Sequence, residues 1–147
     1  MRVAIIERNT RTQSQIKKSL SKHRNSGKDK RSLWEIDYYI DPEKFLKEKS
    51  FGYDVVLVDC DMGDKVCFDF IHKVSNKTDA ELCIMTDTSC AGTLENLLND
   101  EAINHILSRD NLNNVLELLE YSSARLNIKN HMNNESGVYE TIADKMF

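Results

Sequence analysis

Tyr53-Asp54-Val55-Val56-Leu57-Val58-Asp59-Cys60-Asp61-Met62-Gly63 sets the architecture of this chain. Its centre, Asp54 to Val58, is an almost unbroken β-branched run. Such a run suits a central strand covered on both faces. It stops at Asp59. In an open α/β sheet, ligands and chemistry gather just beyond the carboxyl ends of the strands. The pattern therefore puts Asp59 at the rim where chemistry is done, and a carboxylate there can act as an oxygen nucleophile towards a phosphoryl donor.

Outward from this strand, short apolar runs alternate with helical patterns, which predicts repeated βα units and a mostly parallel sheet. Upstream, 3–6 is a first strand. Residues 9–23 form a polar helix with Ile16 and Leu20 four apart on a narrow apolar stripe. Residues 22–31 make a basic loop that reads as a solvated insert. The alternation over 33–40 predicts an edge strand. Asp41-Pro42 then gives an N-cap and a proline at the first helical position, opening a short helix with Phe45 and Leu46 turned inward. Downstream, 65–75 is helical, with Val66, Phe70, Ile71 and Val74 on one side, and 82–86 is the fourth strand. Ser89 or Thr93 caps a helix carrying Leu94, Leu97 and Leu98. A fifth strand covers 102–107, and a long final helix covers 110–129. The remainder is polar, then weakly amphipathic.

The whole chain of 147 residues suits one core. Its 40% hydrophobic and 30% charged residues are those of an ordinary globular domain. A net charge of -4 argues against a protein built to bind nucleic-acid phosphates directly. No apolar run approaches the roughly 20 residues of a membrane span. The short run after Met1-Arg2 is too brief for a secretory signal, so a cytoplasmic location is expected. The four cysteines, Cys60, Cys67, Cys83 and Cys90, fall in two pairs seven apart, wider than usual zinc spacing. They are expected to be small, partly buried thiols. Cys60 and Cys90 fall near the proposed site, which leaves a redox role open.

An aspartate closing the third strand and a threonine, Thr86, closing the fourth of five βα units resemble the receiver domain of bacterial response regulators. The resemblance covers 1–128 and leaves 129–147 as a C-terminal tail or linker. It implies an α/β, flavodoxin-like fold: a doubly wound (βα)5 parallel sheet of strand order 2-1-3-4-5. It also implies a non-enzymatic signalling role, with Asp59 as phosphoacceptor and Thr86 as a switch hydroxyl. The basic loop and Ile40-Asp41-Pro42-Glu43-Lys44-Phe45-Leu46 are similar to the receivers of LytTR-type transcription regulators.

The chain departs from that pattern at the site. The family closes strand one with two acids that hold Mg²⁺; here the residues are Glu7-Arg8. Magnesium needs hard oxygen ligands, and Arg8 offers none. The family ends strand five with a lysine; here the residues are Ser108-Arg109. After Thr86 the family prefers a small residue, whereas Asp87 adds negative charge where a phosphoryl group of about -2 would arrive. Phosphorylation at Asp59 is thus expected to be weak or absent. No cofactor is expected beyond weak Mg²⁺ binding, at most, on Glu7, Asp59 and Asp61.

Several residues carry two readings. Arg8 and Arg109 are the candidate cations for the site; Arg8 pairs with Asp59 through a guanidinium–carboxylate fork, or it begins a solvent-facing loop. Glu7 is a lone surface carboxylate, or it joins an acidic pocket with Asp59 and Asp61. Asp61 is a loop residue or a metal ligand. Thr86 is a switch residue or packs at a strand end. His105 stands in for an aromatic that changes rotamer in the family, or it is a half-buried polar residue.

Three functions follow. The first is an atypical receiver acting by contact with a protein partner, such as a histidine kinase or an effector domain, upstream of gene regulation. The second is a competent Mg²⁺-dependent phosphoacceptor of a transcription regulator. The third is a small flavodoxin-like cofactor binder, disfavoured because the segment 7–12 has no glycine to cradle a phosphate. The roughly 18 residues after the final helix are too few for a DNA-binding effector domain, so a stand-alone receiver or an N-terminal piece is expected. Leu112, Leu119 and Leu126, at a period of seven, either face the domain's own sheet or predict a homodimer or a partner helix on the final helix.

Overall fold

The computed structural model describes residues 1–25, 34–48, 52–60, 64–86 and 99–134. Their elements are β1 (Arg2–Ile6), α1 (Thr10–Asn25), β2 (Glu35–Tyr39), α2 (Pro42–Leu46), β3 (Val55–Asp59), α3 (Asp64–Lys77), β4 (Glu81–Thr86), β5 (His105–Ser108) and α4 (Asn113–Asn134). The strands form one parallel sheet in the order β2-β1-β3-β4-β5. The alternation predicts a parallel sheet, and the resemblance to receiver domains implies this strand order. The helix expected around Leu94 to Leu98 lies outside the described residues, as do Ser89 and Thr93.

Burial follows strand position. Every residue of β3 is buried, as are the last four of β1 and the last five of β4. The edge strands β2 and β5 are half-exposed. Central parallel strands are covered on both faces and so must be apolar throughout; an edge strand tolerates alternation. Even-numbered residues of the central strands, Ala4, Ile6, Val56, Val58, Leu82 and Ile84, share one cluster with Phe45 of α2 and Phe70, Ile71 and Val74 of α3. Phe45 is its hub, with ring centroids 5.1 Å from Tyr39, 5.8 Å from Tyr53 and 6.1 Å from Phe70. Odd-numbered residues, among them Val3, Ile5, Leu57 and Met85, project to the opposite face and are also buried. Ile16 and Leu20 of α1 are buried outside the first cluster.

Local chemistry places α2 as expected. The Asp41 carboxylate accepts from the Glu43 N–H at 3.0 Å, and Pro42 fills the first turn without losing a donor. Two elements shift from the sequence reading: β5 begins at His105 rather than 102, and α4 runs to Asn134 rather than 129.

The cysteines require a correction. Cys60 and Cys67 are joined in a disulfide with Cα atoms 5.8 Å apart, while Cys83 is a buried free thiol. Judging the seven-residue spacing by zinc motifs alone overlooks that a strand end and the adjoining helix fold back on each other.

The chain divides into two compact units, Met1–Leu116 and Glu117–Phe147. Along α4 the buried residues are Val115, Leu118, Leu119 and Ser122, whereas Leu112, Leu116 and Leu126 are half-buried. Among the described residues, no helix is long and apolar enough to cross a membrane.

Candidate functional site

Three charged side chains meet at the carboxyl edge of the sheet. Asp59 closes β3 opposite Met85 of β4. The β1–β3 register pairs Ile6 with Val58, so Glu7 stands opposite Asp59 one rung further on. Arg109 follows β5, where Ser108 pairs with Thr86. All three positions are odd-numbered, and strand alternation sends them to the same face.

Backbone bonds hold these positions past the strand ends. The Glu7 N–H donates to the Tyr39 carbonyl at 2.9 Å, and the Arg109 N–H to the Thr86 carbonyl at 3.0 Å. Gln13, itself buried in α1, donates its side-chain amide to the carbonyls of Tyr39 at 3.2 Å and Glu7 at 3.5 Å. Asn9 caps α1 by accepting from the Thr12 N–H at 3.1 Å, and its own N–H donates to Glu7 Oε1 at 3.0 Å.

Arg109 bridges the two acids. Its Nη1 lies 3.4 Å from Asp59 Oδ1 and its Nη2 lies 3.5 Å from Glu7 Oε1. Glu7 is 0% exposed, Asp59 2% and the Arg109 side chain 15%, so solvent screens the cluster little. The Glu7 carboxyl is pushed up from 4.5 to about 7. Burial is the chief cause. The hydrogen bond and negative charge of Asp59 add to it, while the Asn9 N–H and Arg109 oppose it. Glu7 Oε2 is buried and receives no hydrogen bond from the described residues. An ionised oxygen left so would be costly. Protonated, the carboxyl becomes a donor, and hydrogen bonding with Asp59 favours that form. Below about pH 7 Glu7 is thus a neutral acid beside the Arg109 guanidinium.

Of the two candidate cations, Arg109 is the one that contacts Asp59. Arg8 is exposed. It stands one position out of phase with Glu7, so the alternation that brings Glu7 inward turns Arg8 away. Ser108 serves its own turn, its Oγ accepting from the Asp110 N–H at 3.2 Å. Thr86 is buried at the end of β4 beside the cluster. His105 lies three residues before Ser108, level with Cys83, and its Nε2 is 3.3 Å from Glu81 Oε2. That contact aims it away from the carboxyl edge. Asp61 and Asp87 lie outside the described residues. Among the described residues, no group of three or more His, Cys, Asp or Glu side chains is arranged to hold a metal ion.

Sequence reasoning passes over Gln13 and Asn9. The signal for Asn9 was present, since an asparagine directly before a helical pattern is a strong N-cap. Nothing in the sequence marks Gln13, whose role depends on the two strand ends beside it.

No protein-family model matches the chain, and no curated protein matches it. Solved structures match its fold. It is similar to an adenylate cyclase from Rhodopirellula baltica, at 14% identity and a TM-score of 0.67 over 92% of this chain and 98% of that one. It is similar to the signal receiver domain of an HD domain-containing protein from Pseudomonas fluorescens Pf-5, at 13% identity and a TM-score of 0.61 over 82% and 85%. A response regulator from Colwellia psychrerythraea matches at 16% identity and a TM-score of 0.60 over 84% and 97%. At such identities the likeness is one of architecture. The chain has the five-stranded, flavodoxin-like fold of response regulator receiver domains.

Proposed function

We propose that this chain is an atypical receiver domain that passes a signal by protein–protein contact, with Asp59 phosphorylated weakly or not at all. The observation that carries this reading is the Arg109 guanidinium spanning Glu7 and Asp59. It gives Asp59 a built-in counter-charge. A competent receiver would obtain that charge from Mg²⁺ and a lysine.

The cluster suits Mg²⁺ poorly. Magnesium requires ionised oxygen ligands in near-octahedral geometry. Glu7 holds a proton up to about pH 7, and Arg109 already engages one oxygen of each acid. Phosphoryl transfer would bring about -2 of charge to a buried carboxylate that Arg109 already engages. The domain therefore works in a fixed pocket state, and its partner reads the surface around that pocket. The partner is a protein, either a histidine kinase or an effector upstream of gene regulation, and a second copy of the chain docks through α4.

Titration calorimetry with Mg²⁺ at pH 7 tests the reading. The expected result is no stoichiometric heat at roughly millimolar Mg²⁺, the cellular range for an ion bound mainly through water and one or two carboxylates. Tight one-to-one binding would overturn it in favour of a competent Mg²⁺-dependent phosphoacceptor.

A further inference from the structure

We propose that Cys60 and Cys67 are a reversible thiol–disulfide site, a clasp between the carboxyl end of β3 and α3 that is made and broken by exchange with small thiols. The bond joins the residue directly after Asp59 to the fourth residue of α3. Its position ties the redox state of the chain to the end of the strand that carries the buried carboxylate. The inference does not depend on whether Asp59 is ever phosphorylated.

Each half of the clasp is held without the bond. The Cys60 N–H donates to the Met85 carbonyl at 2.9 Å, continuing the β3–β4 ladder. Cys67 sits in the main core cluster on a helix anchored by Phe70, Ile71 and Val74. Their Cα separation of 5.8 Å lies within the usual range for a disulfide. Breaking the bond leaves the two thiols adjacent, so it closes again as an intramolecular step with a high effective concentration. A bond required for folding would instead bridge parts that nothing else keeps together.

Access sets the order of events. Cys67 is fully buried and Cys60 only partly so. In reduction, an incoming thiolate attacks the Cys60 sulfur, the S–S bond breaks and Cys67 leaves as a thiolate that takes up a proton. A second thiol attacks the incoming group's sulfur and releases Cys60. In oxidation, the Cys60 thiolate attacks a low-molecular-weight disulfide such as oxidised glutathione and expels one thiol. Cys67 then displaces the other. The two cysteines lose two electrons and two protons, and the small disulfide is reduced to two thiols. Cys83 does not compete: it is fully buried, and burial pushes its thiol up, away from the reactive thiolate.

The test equilibrates the full chain in glutathione buffers of graded reduced-to-oxidised ratio. Thiols are trapped by acid quench and alkylation, then assigned by peptide mass. The expected result is a single two-thiol transition shared by the Cys60 and Cys67 peptides and absent from Cys60→Ser and Cys67→Ser. The far-UV circular dichroism stays constant across it. Amide exchange at the start of α3 quickens about tenfold in the reduced form, as local opening without unfolding predicts. The proposal is overturned if both cysteines stay thiols at every ratio, if the bond persists at every ratio, if reduction unfolds the chain, or if Cys60 pairs with another cysteine.

Discussion

Replacing Glu7 by glutamine isolates the buried proton at the centre of the site. Glutamine is a close mimic of the protonated acid. Its Oε1 accepts from the Asn9 N–H and Arg109, and its Nε2 donates to Asp59, as the neutral carboxyl does. In the unfolded chain Glu7 releases its proton near 4.5; in the folded domain it does so near 7. Between those values the folded chain holds the extra proton, so stability falls as pH rises. The Glu7 contribution is complete below pH 4.5 and lost above about 7. At about 1.4 kcal/mol per pH unit, that interval corresponds to about 3 kcal/mol. Glu7→Gln removes this slope. The variant should match the parent chain near pH 4.5 and exceed it by up to about 3 kcal/mol at pH 8, roughly a hundredfold in the folding equilibrium. Urea unfolding at several pH values, followed by fluorescence of the single and buried Trp34, reads the difference directly. An equal stability difference at pH 5 and pH 8, or a variant less stable at pH 8, would refute the buried-proton reasoning.

Arg109→Ala removes the guanidinium that engages the buried Asp59 and Glu7 carboxylates and should cost about 3 kcal/mol at pH 8. Arg8→Ala, at an exposed position, should stay within about 0.5 kcal/mol of the parent in the same urea assay. For association, sedimentation at micromolar concentration should show a dimer that Leu126→Glu weakens by about tenfold or more, a loss of about 1.4 kcal/mol. A monomer in both chains would leave only a different protein as the partner of α4.

The fold was legible because the physics of a central parallel strand is written in consecutive residues. Val55 to Val58 and Leu82 to Met85 are apolar without a break because both faces are covered. Asp41-Pro42 announces α2 by cap chemistry that needs no tertiary partner. The edge strand β5 was harder to bound. Its half-exposed residues carry no strong pattern, and the preceding apolar Ala102 and Ile103 extend the run falsely. At the site, sequence order marks Asp59, Glu7 and Arg109 as neighbours of strand ends. It does not say which arginine reaches the acids, since that depends on register across three strands. Counting parity from Asp59 selects Glu7 and Arg109 and rejects Arg8 once the register is known. The disulfide was missed for a related reason. A spacing of seven has no meaning as a motif; it becomes one only when a strand end and a helix bring the two Cα atoms together.

The central claim is that the Arg109-bridged pocket does not serve as a working phosphoacceptor. Intact-protein mass measurement tests it most directly: the chain is incubated with a small phosphodonor and Mg²⁺ at pH 7 beside an Asp59→Asn control. The account predicts no phosphoryl adduct above the level of the control. A stoichiometric, Mg²⁺-dependent mass gain that disappears in Asp59→Asn would contradict it.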